Sequence, residues 1–228
     1  MADYLEADPS ELLEGPKIGF KLPEVLTVEE IDRIISAVDR SKAEGQRNRA
    51  ILETLYSCGL RVSELVNLKL SDLYFDEGFI KVEGKGSKQR LVPISPRAIN
   101  EIKLYFTDRN RIEVKKEYED FVFVSQRRGK GLSRIMIFHM IKELAQTAGI
   151  IKNISPHTFR HSFATHLLEG GANLRAIQCM LGHESIATTE IYTHIDRNML
   201  RSEIIEHHPR NIKYRKEKEE LFLSLIHI

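Results

Sequence analysis

Apolar positions first become periodic at Thr27, where Thr27-x-x-Glu30 forms a capping box and Val28, Ile31, Ile34, Ile35 and Val38 recur at helical spacing. A second helical run through Ala50, Ile51, Leu55 and Cys58 stops at Gly59, and a third opens at once with Val62, Leu65 and Val66. The period then changes. Ile80 and Val82 alternate with charged residues, Gly84-Lys85-Gly86-Ser87 supplies a turn, and Arg90-Leu91-Val92-Pro93-Ile94 returns, which predicts a β-hairpin. Phe121-Val122-Phe123-Val124 predicts a third short strand. From Leu132 onward the patterns are helical again, with Gly149, Gly170-Gly171 and Gly182 as punctuation. Ser155 and Pro156 suit the cap and first residue of one of these helices. Asn173 caps another, expected to bury Leu174, Ile177 and Leu181 before Gly182 stops it. The pattern is that of a mainly α chain with a small antiparallel β-sheet, an α+β class.

Composition narrows the class of molecule. A chain of 228 residues with 42% hydrophobic and 29% charged residues can bury a core without disulfides and is not of disordered type. Cys58 and Cys179 lie far apart, which excludes a disulfide framework or Cys-based zinc knuckle and suits a reducing, cytoplasmic setting. No apolar run approaches the roughly 18 to 20 residues of a membrane span. Met1-Ala2-Asp3 is acidic where a signal peptide is basic. The formal net charge is only +1, but it is unevenly distributed. The first 35 residues hold nine acidic and three basic residues, a net of −6, interrupted by Pro9, Gly15, Pro16, Gly19 and Pro23. The linker is read as residues 1–24 of that head, and residues 36–228 carry +7. At the other end, Lys213 to Glu220 is nearly all charged and Leu221 to Ile228 nearly all apolar. This end fits a helix on its own domain, a plug for a neighbouring protomer's groove, or a disordered tail.

Four clusters carry candidate chemistry. In Ser155-Pro156-His157-Thr158-Phe159-Arg160-His161, His157 and Arg160 fall on one face of a helix's opening turns, where free N–H groups favour an anion. Seven of the nine histidines lie between 157 and 208, which raises metal binding, but His157 and His161 are not in a His-Glu-x-x-His pattern. Structural roles are open for His166 and His194. In Gly59-Leu60-Arg61-Val62-Ser63-Glu64-Leu65, Arg61 opens a helix and Glu64 is placed to orient it. Gly84-Lys85-Gly86-Ser87-Lys88-Gln89-Arg90 is a basic hairpin tip without Walker spacing. The last cluster is Leu181-Gly182-His183 followed by Ile191-Tyr192-Thr193-His194. Singly, each has an ordinary structural reading.

Together, in this order, the clusters resemble the tyrosine recombinases over about residues 20 to 210, most closely the Xer-type bacterial members. The resemblance implies a catalytic domain over residues 25–228, preceded by a linker remnant and without the family's N-terminal core-binding domain. It implies a site-specific DNA recombinase working through a 3′-phosphotyrosine, with chromosome dimer resolution as its job. The near alternative is an integrase of a phage or conjugative element. A type IB topoisomerase-like activity and a non-catalytic DNA-binding module are the distant ones. By the same resemblance Tyr192 is the nucleophile, Arg61 and Arg160 hold the non-bridging oxygens, and Lys88, rather than Lys85, protonates the leaving 5′-oxygen. His157 assists proton transfer, His183 hydrogen-bonds the phosphate, and Glu64 supports the site from behind. Neither metal nor other cofactor is expected. The implied partners are double-stranded DNA and further protomers, in a tetramer that exchanges the segment 221–228 between neighbours.

Overall fold

The computed structural model describes residues 24–182 and 197–226. The expected linker up to residue 23, together with His183, Tyr192 and His194, therefore lies outside the described residues.

The predicted capping box closes on itself. Glu30 N donates to Thr27 Oγ1 (3.2 Å) and Thr27 N to Glu30 Oε2 (2.8 Å), starting α1 (Val28–Ser36), which buries Ile31, Ile34 and Ile35. Helix α2 (Gly45–Cys58) is the central one: every residue from Ala50 to Cys58 is buried, and Gly59 ends it in a left-handed conformation. Helix α3 (Val62–Val66) follows. A three-stranded antiparallel sheet comes next, in the order β1 (Leu73–Tyr74), β2 (Phe79–Glu83), β3 (Gln89–Pro93), with Phe79 opposite Pro93 and Glu83 opposite Gln89. Helix α4 (Pro96–Arg109) is capped by Ser95, whose hydroxyl also shares a hydrogen bond with Ser57 of α2 (2.7 Å). The rest is helical: α5 (Arg134–Thr147), α6 (Pro156–Glu169), α7 (Leu174–Leu181), α8 (Arg197–His207) and α9 (Pro209–Ile226). The core is organised around fully buried Tyr56, Tyr105, Phe123, Phe159 and Phe163. Each such ring contributes about 1.5 to 3 kcal/mol through burial.

Two expectations are corrected. Residues 121–124 form only isolated bridges, Phe121 to Lys69 and Val124 to Gly131; the third strand is Leu73–Tyr74, too short to show alternation. Side chains supply part of this backbone's hydrogen bonding. Arg109 donates to the carbonyls of Glu119 and Phe121, and Val124 N donates to the Tyr105 hydroxyl at 3.2 Å. In α7 the inward stripe is Ala176, Ile177, Met180 and Leu181, and Leu174 at its edge remains 53% exposed.

The start of α9 docks on its own chain. Arg210 pairs with Asp32 of α1 and lies 3.2 Å from Glu53 Oε2 of α2; Lys213 reaches Asp32 Oδ2 at 2.8 Å. Arg97 of α4 meets Glu217 at 3.7 Å. Among the described residues, no helix is long and apolar enough to cross a membrane.

Candidate active site

Glu64 is the junction of the site. Its side chain is only 1% exposed, yet it bears a charge, because four donors converge on it. Oε1 accepts from Arg61 Nη1 (2.9 Å) and Arg90 Nη1 (2.7 Å); Oε2 accepts from Arg90 Nη2 and the Arg61 amide, both at 2.9 Å. Burial works to raise the pKa of this carboxyl, but Arg90's hydrogen bonds and charge, followed by the contacts from Arg61, hold it below the usual carboxylate range.

The same arginines cap the end of α7. A helix's last carbonyls lack intrahelical partners and carry the negative end of its dipole. Here Met180 O accepts from Arg90 Nε (2.9 Å), Leu181 O from Arg160 Nη2 (2.6 Å) and Gly182 O from Arg61 Nη2 (3.2 Å). Arg160 also donates to Gly59 O at 2.6 Å, so α6 is tied to the α2–α3 turn and to the end of α7. Gly182 must approach this closely: its φ is +64°, and a Cβ there would lie 3.1 Å from Arg90 Cζ, Nε and Nη1. Burial, then the neighbouring Arg61, lower the Arg160 pKa to about 10, which still leaves it protonated at neutral pH. Three guanidinium groups around one carboxylate leave the cluster at +2. That excess attracts an anion.

His157 is exposed in the first turn of α6, three residues before Arg160, as its Pro156 start predicts. Lys88 is exposed at the β2–β3 tip, and its carbonyl accepts from Gly84 N at 2.8 Å. A Cβ on Gly84 would lie 3.6 Å from Arg90 Nη1 and 3.8 Å from Glu64 Oε1, so the root of this tip rests on the Glu64–Arg90 pair. The structure thus bonds Arg61 to Glu64 and brings Arg160 beside them, on the carbonyls of Gly59 and Leu181. His157 and Lys88 stand on elements that join them. His183 follows the anchored Gly182 directly in sequence, but it and Tyr192 lie outside the described residues.

Sequence reasoning passed over Arg90. Its signal was there: β3 alternates, and Arg90 occupies an inward position with Val92, a place where a charge needs a partner. Two histidines prove structural. His166 Nδ1 shares a 2.8 Å hydrogen bond with the Tyr56 hydroxyl, and His208, fully buried, bonds the Tyr56 carbonyl through Nε2 at 3.2 Å.

This is a mainly helical domain in which Arg61 and Arg90 meet on one buried carboxylate while Arg160 holds the adjoining turn and helix end. Residues 24–199 match the phage integrase family. The tyrosine recombinase XerD of Staphylococcus saprophyticus is 45% identical over 207 residues, spanning 91% of this chain and 70% of that protein. The crystal structure of XerA recombinase matches with a TM-score of 0.66 at 38% identity, over 85% of this chain and 67% of its own. The XerH recombinase, in a pre-cleavage complex with its difH substrate, matches with a TM-score of 0.64 at 30% identity, over 76% of this chain and 51% of its own. The chain belongs to the phage integrase family, and within it to the Xer-type tyrosine recombinases, enzymes of DNA cleavage and religation. The mobile-element integrase alternative is not favoured.

Proposed function

We propose that this chain binds duplex DNA and exchanges strands at a specific site, with Tyr192 as nucleophile and Arg61 and Arg160 as the phosphate clamp. The Tyr192 oxygen attacks the scissile phosphorus, the bond to the 5′-oxygen breaks, and a 3′-phosphotyrosine forms. Lys88 gives a proton to the leaving 5′-oxygen, His157 assists proton removal from the phenol, and His183 donates a hydrogen bond to the phosphate. A phenol has an unperturbed pKa of about 10, so attack at neutral pH needs this help. Religation runs the same steps backwards on a new 5′-hydroxyl. The phosphotyrosyl bond keeps the energy of the cut strand, so no nucleotide hydrolysis is required.

One observation carries the reading: Arg61 and Arg160 are both fixed on the carbonyl end of α7, while Glu64 has Arg90 to balance it. Two preset guanidinium forks then face charge that grows on the non-bridging oxygens in the transition state. XerH, a relative bound to a DNA substrate, supports DNA as the partner. The biological job would be resolution of joined chromosomes by a tetramer on paired sites. Residues 25–228 would form the catalytic domain, and the apolar run from Leu221 would dock on a neighbouring protomer. Docking of α9 on its own chain as far as Glu217 leaves that run as the part to exchange. Deleting residues 221–228 should then weaken assembly on DNA; unchanged assembly would refute the exchange.

The test begins with selection of a bound duplex from a random library, followed by incubation of the chain with a nicked suicide form of it. A covalent adduct with the native chain and none with Tyr192→Phe is expected. An adduct that survives Tyr192→Phe overturns the nucleophile assignment.

A further inference from the structure

Arg90 lies two residues after Lys88, and its side chain is 5% exposed. It cannot reach a bound duplex from there, yet every bond of its guanidinium runs to a part of the proposed site. Nη1 and Nη2 grip the two oxygens of Glu64, and Nε holds the Met180 carbonyl, two residues before Gly182. Its own strand begins one residue after Lys88, and a Cβ added at Gly84, at the root of that tip, would lie 3.6 Å from its Nη1. One side chain thus joins the hairpin of Lys88, the helix opened by Arg61, and the end of α7 that leads to His183.

We infer that Arg90 is a positioning residue for strand cleavage: it neutralises Glu64 so that Arg61 stays available to the phosphate, and locks the three elements in one geometry. This rests on the phosphate-clamp reading of Arg61 and Arg160. Without Arg90, the buried Glu64 carboxylate has Arg61 alone to balance it at 2.9 Å, and the cluster drops from +2 to +1. Arg61 is then drawn into a closed ion pair and competes less well for the DNA. The end of α7 loses one of its three donors as well. A lysine cannot replace the fork, since a single ammonium cannot grip both carboxylate oxygens in plane and still reach the Met180 carbonyl.

The test uses the full chain and the rate of adduct formation on a suicide duplex at saturating DNA, with DNA affinity and thermal midpoint measured alongside. Outer partners that orient metal ligands cost about 10- to 100-fold when lost, and a slowing of that order is expected for Arg90→Met. DNA affinity should fall much less than the rate. Adding Glu64→Gln to Arg90→Met should recover part of the rate, because the unbalanced charge is gone; a purely structural loss would not recover. Arg90→Lys should fall between native and Arg90→Met, and it carries the test if Arg90→Met does not fold. Native cleavage rates in both single variants overturn the inference, as does a double variant slower than Arg90→Met. Tyr192→Phe and Arg160→Lys run in parallel as controls. If they cleave normally, the site reading itself fails; if they are dead and the Arg90 variants are normal, only the inference fails.

Discussion

Gly182 offers a matched experiment on how tightly the arginine cluster is built. Gly182 and Gly149 both have left-handed backbones, at φ +64° and +70°. Alanine in that conformation costs about 1 to 2 kcal/mol at either position. They differ in surroundings: a Cβ at Gly149 meets nothing within 4 Å, whereas one at Gly182 lies 3.1 Å from three atoms of the Arg90 guanidinium. That guanidinium cannot swing aside freely, because Met180 and Glu64 hold all three of its nitrogens. Overfilling a packed site typically adds about 1 to 3 kcal/mol. Gly182→Ala should therefore lose about 2 to 5 kcal/mol in urea unfolding, the sum of both costs. Gly149→Ala should lose only the backbone part and keep native cleavage of a suicide duplex. The Gly182 variant should cleave slowly even under conditions where it is fully folded. Equal unfolding free energies and equal cleavage rates in the two variants would refute the tight packing of Arg90 on Gly182.

Arg160→Lys should cut the rate of adduct formation by about 100- to 1000-fold, the usual loss for one transition-state donor. Lysine cannot span Gly59 O and Leu181 O, which Arg160 holds at 2.6 Å each. Arg210→Met should lower the unfolding free energy by about 3 to 5 kcal/mol, since it takes one of two ion-pair partners from the buried Glu53 and leaves the one with Arg97, at 3.1 Å. A loss below 1 kcal/mol, on the order of a surface ion pair, would show that α9 is not anchored there. His208 gives a pH dependence. Burial lowers its pKa to about 3. The unfolded chain therefore binds a proton that the folded chain refuses, so stability present above about pH 6.5 is lost as pH falls toward 3. Urea unfolding should show a slope of up to about 1.4 kcal/mol per pH unit from this group, flattened in His208→Gln.

Local signals carried much of this fold in the sequence. The capping box at Thr27, the stop at Gly59, the hairpin around residues 84–88 and the Ser155-Pro156 start all act within a few residues, and each appears where it was expected. Residues 121–124 misled because Arg109 and Tyr105 take up part of their backbone hydrogen bonding, partners that no alternation pattern encodes. Leu174 was misplaced by less than one helical turn, for the inward face of α7 is set by what it packs on. Arg61, Glu64 and Arg160 were legible as residues, and the structure adds how they are held. The capping of three successive α7 carbonyls by three arginines from three different elements is a tertiary fact. So is the pairing of Arg90 with Glu64, 26 positions away in the chain.

The central claim is that Tyr192 carries the DNA between cleavage and religation. The most direct measurement traps the adduct on a suicide duplex, digests the DNA with nuclease and the protein with protease, and locates the residual nucleotide by tandem mass spectrometry. The nucleotide mass is expected on the peptide containing Ile191-Tyr192-Thr193, with fragmentation placing it on Tyr192. The same mass on another residue, or strand cleavage with no covalent peptide at all, would contradict the account.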